Sequence, residues 1–280
     1  MIKSPLRYPG GKSKLVKEIS KYIPINFNEF REPFFGGGSV SFYFVNKYPN
    51  KIYRASDRNL DLVCFWQQLK DNPQQLYKEV LQIYESFRGN EGKRLFNIIM
   101  NRRNENLTCF QRAVDFFVLN RITYSGTVDS GGFSNQAFQK RFTKSSIDRL
   151  LEAHKIIRYI DIIHSDFEVL INDPGENVFI YLDPPYYSKS NSKLYGKRGN
   201  LHTEFDHLRL YEALRNSTHL WLLSYDDDDF IRNLYSDFFI EVINVTYGTG
   251  NNKKQTELLI ANYDLKKIFN EKVSKTLTLI

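Results

Sequence analysis

Val178-Phe179-Ile180-Tyr181-Leu182 runs straight into Asp183-Pro184-Pro185-Tyr186, so an apolar stretch ends in an acid, two prolines and an aromatic residue. Apolar residues in unbroken succession, rich in β-branched and aromatic types and stopped by prolines, predict a buried parallel strand that carries Asp183 to its carboxyl end. In open α/β sheets ligands bind along that edge.

The four residues after the run have a chemistry of their own. Pro185 restricts Pro184 to an extended conformation, which allows the main-chain carbonyl of Pro184 to stand beside the Asp183 carboxylate as a second fixed acceptor. Two adjacent acceptors suit a planar amine with two hydrogens, such as that on adenine. Accepting both hydrogens favours a pyramidal nitrogen with a localised lone pair, which is preorganisation aimed at the charge that develops during attack. Tyr186 offers a face on which a base can stack. Taken alone, an aspartate and two prolines could equally do no more than end a strand.

A chain of 280 residues can bury a substantial core, as one large domain or one domain with an inserted module. Hydrophobic residues at 41% and charged residues at 25% are ordinary for a soluble globular protein. No apolar run approaches a membrane span, and Met1-Ile2-Lys3-Ser4-Pro5 enters polar sequence at once, so neither an anchor nor a signal peptide is expected. Cys64 and Cys109 are too few for a disulfide framework or a zinc site, and two buried thiols are expected. The net charge is +7, and the segment from Arg88 to Arg149 carries eleven basic against five acidic residues, nearly the whole excess. A basic middle segment suggests a polyanion-facing module, although a solvated helical surface would carry the same charge.

Towards the amino terminus, Arg7-Tyr8-Pro9-Gly10-Gly11-Lys12 precedes helical apolar spacing over Ser13 to Ile19. A glycine pair before a helix frees backbone N–H groups for an anion and Lys12 adds charge, but the full Walker pattern is missing, so a cofactor carboxylate fits as well as a phosphate. Phe30 to Phe34 reads as a strand entering Phe35-Gly36-Gly37-Gly38, with a serine-capped helix over Ser39 to Val45. About twenty residues later Lys51 to Asp57 reads as a second strand ending in an acid, where a dinucleotide fold keeps its ribose-binding carboxylate. The glycines lack the G-x-G-x-x-G form, which argues against NAD and leaves other adenosine cofactors open.

The glycine-rich amino-terminal motif, Glu32-Pro33-Phe34-Phe35-Gly36-Gly37-Gly38, the strand-end Asp57 and Asp183-Pro184-Pro185-Tyr186, in this order, resemble the Dam-type (D12 class) DNA adenine-N6 methyltransferases. The motifs reach from Arg7 to about Tyr263 and so span almost the whole chain. The resemblance implies a Rossmann-like α/β fold of the S-adenosylmethionine-dependent type, with a mixed seven-stranded sheet interrupted by a mostly helical target-recognition domain. Residues 1–59 and 151–280 would form the catalytic, cofactor-binding domain, and residues 60–150 the inserted DNA-binding one.

By the same resemblance the reaction is site-specific transfer of a methyl group from S-adenosylmethionine to N6 of an adenine flipped out of duplex DNA. Asp183, Pro184, Pro185 and Tyr186 would be catalytic. Tyr8 and Lys12 would hold the methionine end of the cofactor, Phe34 to Gly38 would form the turn against it, with Phe34, Gly36 and Gly38 as contacts, and Asp57 would take the ribose hydroxyls. Asp166 would accept from the cofactor's adenine amine beside Phe167, and Asp183 would also border the cofactor. No metal is required, because the sulfonium already makes the methyl electrophilic. The resemblance admits a cognate restriction endonuclease acting at the same site, and places the chain in the cytoplasm, at the nucleoid through its DNA.

Within the middle segment, Leu60 to Leu69, Gln74 to Phe87 and Cys109 to Leu119 show helical spacing, and Asn120 to Gln136 reads as a hairpin or long loop. Arg121, Tyr124, Asn135, Gln136, Lys140 and Arg141 are its candidate DNA contacts, since arginine, asparagine and glutamine read bases in the major groove. Relatives that methylate GATC have Tyr-Asn-Gly-Leu where this chain has Tyr124-Ser125-Gly126-Thr127, so no recognition sequence is assigned. After a strand over Ile156 to Ile163, His164 has no catalytic partner in sequence. Tyr187 to Asp206 reads as a loop that orders when substrate arrives. Asp226 to Asp229 opens a helix and is not a metal cluster, because consecutive aspartates do not converge on one ion. The tail from Asp264 carries no chemical signature. An N4-cytosine enzyme, a catalytically silent DNA-binding relative and an enzyme acting on RNA or protein are the alternatives. Against the first stands Asp183, where that group commonly has serine, and against the second stands the retention of both motifs.

Overall fold

The computed structural model describes residues 1–128, 130–187, 205–246 and 254–277. Among them a seven-stranded sheet has the order β3-β2-β1-β4-β5-β7-β6. The strands are β1 (Glu29–Glu32), β2 (Ile52–Asp57), β3 (Ile160–His164), β4 (Val178–Leu182), β5 (Leu220–Asp226), β6 (Phe239–Thr246) and β7 (Lys254–Ala261). The first five run parallel, and β7 is antiparallel to both β5 and β6. This is the mixed seven-stranded sheet that the resemblance implied.

Chain direction across the sheet reverses at the β1–β4 pair, where Phe30 lies against Phe179 and Arg31 against Ile180. Such a reversal leaves a crevice beyond the carboxyl ends of the two strands. Every residue of β4 is buried, and its side chains alternate between two cores: Phe179 and Tyr181 face one layer, Val178, Ile180 and Leu182 the other. A strand covered on both faces reads as a continuous apolar run for that reason.

Helices α1 (Val16–Ile19) and α2 (Ser39–Lys47) flank β1 in sequence. Between β2 and β3 come α3 (Leu60–Asp71), α4 (Pro73–Ser86), α5 (Gly92–Arg102), α6 (Cys109–Ile122), α7 (Asn135–Arg141) and α8 (Lys144–Ile157). Their apolar residues share one core with the sheet, in which Phe65 and Phe117 stack with ring centroids 5.8 Å apart. Then follow α9 (Phe167–Asn172), α10 (His207–Asn216), α11 (Asp229–Leu234) and α12 (Leu265–Leu277). None of the described helices is long and apolar enough to cross a membrane.

Three expectations need correction. The helix after the glycine turn is capped not by a serine but by Gly38, in the left-handed region at φ 65° with no side-chain cap bond. Cys64 and Cys109 are not separate thiols: the structure joins them as a disulfide between α3 and α6, with Cα atoms 5.1 Å apart. Ile156 and Ile157 end α8 rather than begin β3, since helical packing of α8 carries through them. The tail from Asp264, for which the sequence offered no chemical signature, forms α12, whose Phe269 stacks on Tyr22 at 5.2 Å. The loop expected to order over substrate lies, for residues 188–204, outside the described residues.

Candidate active site

Three parallel strands deliver acids to the same edge of the sheet. Glu32 ends β1, Asp57 ends β2 and Asp183 follows β4, and all three line one cavity of about 380 Å³ together with Tyr8 to Lys12, Pro33 to Val40, Phe167, Pro184 to Tyr186 and Phe205. That volume lies within the range of small-molecule and cofactor sites.

Lys12 stands at the centre of the charged side of this cavity. Its ammonium donates to Asp183 Oδ1 at 2.7 Å and Oδ2 at 2.9 Å, to the Tyr186 hydroxyl at 2.7 Å and to the Gly10 carbonyl at 3.2 Å. Glu257 on β7 lies 3.9 Å away. Lys12 is only 3% exposed, so this is a nearly dry ion pair in which one cation fixes both oxygens of the carboxylate and the tip of the aromatic ring. It also lies 4.9 Å from the centroid of Tyr186, over the ring. The sequence pointed Lys12 at an anion of the cofactor; in the folded chain its anion is Asp183.

The glycines of the turn are needed for packing as much as for ligand approach. A Cβ on Gly36, at φ 47°, would sit 2.7 Å from the Tyr8 ring, and one on Gly38 would sit 2.6 Å from the ring of Phe35. Tyr8 therefore lies flat on the turn and closes its underside. The Asp57 carboxylate spans the top of the same turn, accepting from Gly36 N and from Asn59 N, each at 2.9 Å. Burial raises the Asp57 pKa, and these backbone donors together with the charge of His164 oppose the rise. Trp66 of α3 donates to the Gly36 carbonyl at 3.0 Å and pins the turn from behind.

Glu32 is a cavity residue that sequence reading passed over. Its Oε2 accepts from Ser41 N at 3.0 Å and from the Ser41 hydroxyl. Burial nevertheless pushes its pKa from the ordinary 4.5 up to about 8, with Asp183 and Asp57 adding repulsion. The folded chain then holds a proton that the unfolded chain releases, so the associated stability is complete at acid pH and is lost as pH rises from 4.5 to about 8. Glu32→Gln removes that titration while keeping an oxygen for Ser41. Urea unfolding at pH 5, 7 and 9 is expected to show wild type losing stability relative to the variant across this interval.

Aromatic rings wall the opposite side. Phe34, Phe167 and Phe205 lie within 5.5–5.8 Å of one another, Phe34 and Phe167 being stacked. Phe167 therefore enters the cavity wall while its neighbour Asp166 does not line it: Asp166 caps α9 through Glu168 N at 3.2 Å and pairs with Arg209. The expected acceptor for the cofactor's adenine is thus engaged in holding a helix start. His164 meets the carbonyl of Arg58 at 3.1 Å. Within the acidic run, Asp228 caps α11 and Asp227 pairs with Arg232 at 2.6 Å.

Away from the cavity, ion pairs neutralise much of the basic middle segment. Arg102 is bound to Asp115, Arg103 and Arg112 share Asp61, and Arg94 and Lys144 meet Glu91 and Asp148. The candidate DNA contacts fall on one stretch from the end of α6 to the end of α7. Tyr124 is 72% exposed in a tight turn, and Asn135, Gln136, Lys140 and Arg141 are exposed on α7, whereas Arg121 is buried.

A site of this build invites comparison with known proteins. The model for D12 class N6 adenine-specific DNA methyltransferases matches residues 8–249. The type II methyltransferase M.MjaIII of Methanocaldococcus jannaschii is 27% identical over 288 residues, covering 94% of this chain and 99% of its own. The type II methyltransferase M1.LlaDCHI of Lactococcus lactis subsp. cremoris is 27% identical, with 92% and 94% covered. A DNA adenine methylase of Vibrio cholerae is 28% identical, with 89% and 92% covered. The matched region begins at Tyr8, on the glycine turn, and runs past Asp183-Pro184-Pro185-Tyr186 through β6. By that match the chain belongs to the D12 class of N6 adenine-specific DNA methyltransferases.

Proposed function

We propose that Asp183 and the main-chain carbonyl of Pro184 accept the two hydrogens of the adenine N6 amine, and that Lys12 is the positioning residue that makes this possible. The observation that carries this reading is the Lys12 bridge to both Asp183 oxygens and to Tyr186. A carboxylate has about four lone-pair sites, so two bonds from Lys12 leave room for an incoming N–H. The bridge keeps Asp183 ionised and immobile, and an acceptor already fixed in place needs no reorganisation when the nitrogen becomes pyramidal. Tyr186, its hydroxyl held by Lys12, would present its ring to the base.

The residues of the cavity fit S-adenosylmethionine, the methyl donor of this family. Glu32 is an acid kept neutral by burial, ready to ionise when an ammonium arrives. Asp57 and Asn59 offer polar groups for ribose hydroxyls, and the Phe34, Phe167 and Phe205 rings offer faces for an adenine. When bound, the cofactor supplies a methyl group made electrophilic by its sulfonium. Tyr8 and the glycine turn would hold its methionine end, with Lys12 reaching it only by sharing its bonds with Asp183.

N6 lies inside the duplex, so the adenine is extruded at a cost of a few kcal/mol. Residues 60–150 would act as the recognition domain, with Tyr124 and the exposed face of α7, Asn135, Gln136, Lys140 and Arg141, turned to DNA. A restriction endonuclease of matching specificity is the partner supported by the type II names of the relatives, and the cytoplasm, at the nucleoid, is where such a reaction would run. The test is transfer of labelled methyl groups to duplex DNA and to RNA of the same sequence, followed by mapping of modified adenines. Label on duplex adenines at one recurring sequence is expected. Label on RNA, or on cytosine N4, would overturn the reading.

A further inference from the structure

Lys12 faces two carboxylates, and the second, Glu257, lies beyond the stretch matched by the family model, which ends at residue 249. Glu257 is 2% exposed near the start of β7, with Leu258, Leu259, Ile260 and Ala261 after it all fully buried. A charge in such a place is costly unless it does what an apolar side chain cannot. β7 runs antiparallel to β5, so its first residues lie at the edge where the parallel strands end. Glu257 stands there between Asp226, the last residue of β5, and Ile243 of β6. Ladder partners on both sides fix its backbone.

Alternate residues of a strand share a face, so Glu257 lies on the side of Leu259 and Ala261, in the core layer that also holds Tyr181. Tyr181 registers how closely the acids converge. Burial first, then the charges of Asp183, Glu257 and Glu32, raise its pKa well above the ordinary value, against a bond with Ser224 Oγ at 2.8 Å. Glu257 Oε1 is 3.9 Å from the Lys12 ammonium, while Asp183 takes two bonds from it at 2.7 and 2.9 Å. One cation thus lies between two acids, and the trio keeps one negative charge uncancelled.

Methyl transfer moves a positive charge towards this trio. The N6 lone pair forms the C–N bond while the pair of the broken C–S bond stays on sulfur. A sulfonium becomes a neutral thioether, and N6 carries the charge until one of its protons passes to Asp183. We infer that Glu257 is a positioning residue of this reaction, acting through Lys12: it supplies the negative charge that Lys12 would otherwise cancel at Asp183. The inference rests on the reading of Asp183 as an acceptor for N6. Asp183 with Lys12 alone is a neutral pair, well placed for hydrogen bonds but without net attraction for the charge that arrives, and Glu257 restores that attraction. Its distance suits the role, since a short bond to Glu257 would turn the ammonium away from Asp183 and Tyr186.

S-adenosylmethionine and S-adenosylhomocysteine share every group except the methyl and its positive charge, so their common contacts cancel in the ratio of their affinities for the DNA-free protein. Glu257→Gln, which keeps the shape and deletes the charge, is expected to lower the preference for the sulfonium about fivefold, and kcat about 30-fold with KM for DNA held. Glu257→Asp, shorter by one methylene but still charged, is expected to keep the preference within about twofold of wild type. A side chain needed only for packing predicts the reverse order, because glutamine fills the space and aspartate leaves a gap. Lys12→Met, which removes the cation of the trio, is expected to raise the preference. An unchanged preference in Glu257→Gln, or aspartate faring worse than glutamine, would overturn the proposal. Should Glu257→Gln fail to fold, the other two variants decide: a preference lost in Glu257→Asp or unmoved in Lys12→Met overturns it equally. Failure of the Asp183 reading is seen elsewhere, as wild-type turnover in Asp183→Ala, and leaves these binding ratios standing.

Discussion

Asp183→Ala is expected to lower kcat for DNA methylation by about three orders of magnitude, the loss seen when a preorganised group that meets developing charge is removed. On the proposed reading the side chain supplies one of two acceptors for N6, and its neighbours do not replace it, since Lys12 only donates and the Tyr186 hydroxyl is already accepting from Lys12. Cofactor affinity is expected to fall less than tenfold, because Glu32, Asp57 and the aromatic wall are untouched. The informative comparison is single-turnover transfer against equilibrium cofactor binding. A variant with wild-type turnover would end the mechanism, and one that loses cofactor affinity and turnover in equal measure would make Asp183 a cofactor ligand alone.

The second large effect is expected from Lys12→Met, which keeps the bulk of the side chain and deletes its charge. Breaking a buried pair from one side removes the compensation it gave the other charge, here an Asp183 carboxylate that loses both bonds from Lys12. Stability is expected to drop by about 3 kcal/mol, with Tm lower by roughly 6–10 °C. At a temperature where the variant is folded, kcat is expected to fall about 100-fold while KM for DNA holds, because the carboxylate remains but is no longer held to a single orientation. Lys12→Arg should recover the stability more fully than the rate, since a forked guanidinium cannot reproduce three convergent bonds from one nitrogen. Equal recovery of both would reduce Lys12 to a structural role.

Much of the framework was legible in the residues. β4 announced itself because a strand covered on both faces has no polar alternation to obscure it, and the prolines fixed where it stops. The glycine turn and the strand-end acid were visible for similar reasons, as short-range patterns with one backbone solution. What escaped reading depends on partners far apart in sequence. Lys12 and Asp183 are 171 positions apart, so the charge beside the glycine pair pointed to some anion without saying which. Glu32 looked like part of a motif; only its burial, against which the Ser41 bonds act, gives it a raised pKa. Cys64 and Cys109 resembled isolated core thiols because the approach of α3 to α6 is tertiary. Arg121 counted as one more positive charge on a basic stretch, and its burial has no local signature. Helices α5, α7 and α8 were missed amid polar sequence, where caps such as Thr143 with Ser146 define the start better than periodicity does.

The separation of Lys12 from Asp183 also bears on how the enzyme comes into being. At a ribosomal rate of 5–20 residues per second, the lysine waits roughly 10–30 s for its carboxylate to emerge. During that interval β1 has no β4 to pair with, and the helices encoded between them can already associate through local contacts. On the proposed reading, a nascent or prematurely terminated chain lacking β4 would hold the glycine turn but no acceptor for N6. Competence to modify adenines would then arrive in one late step, when a strand from the second half of the polypeptide threads beside one from its beginning.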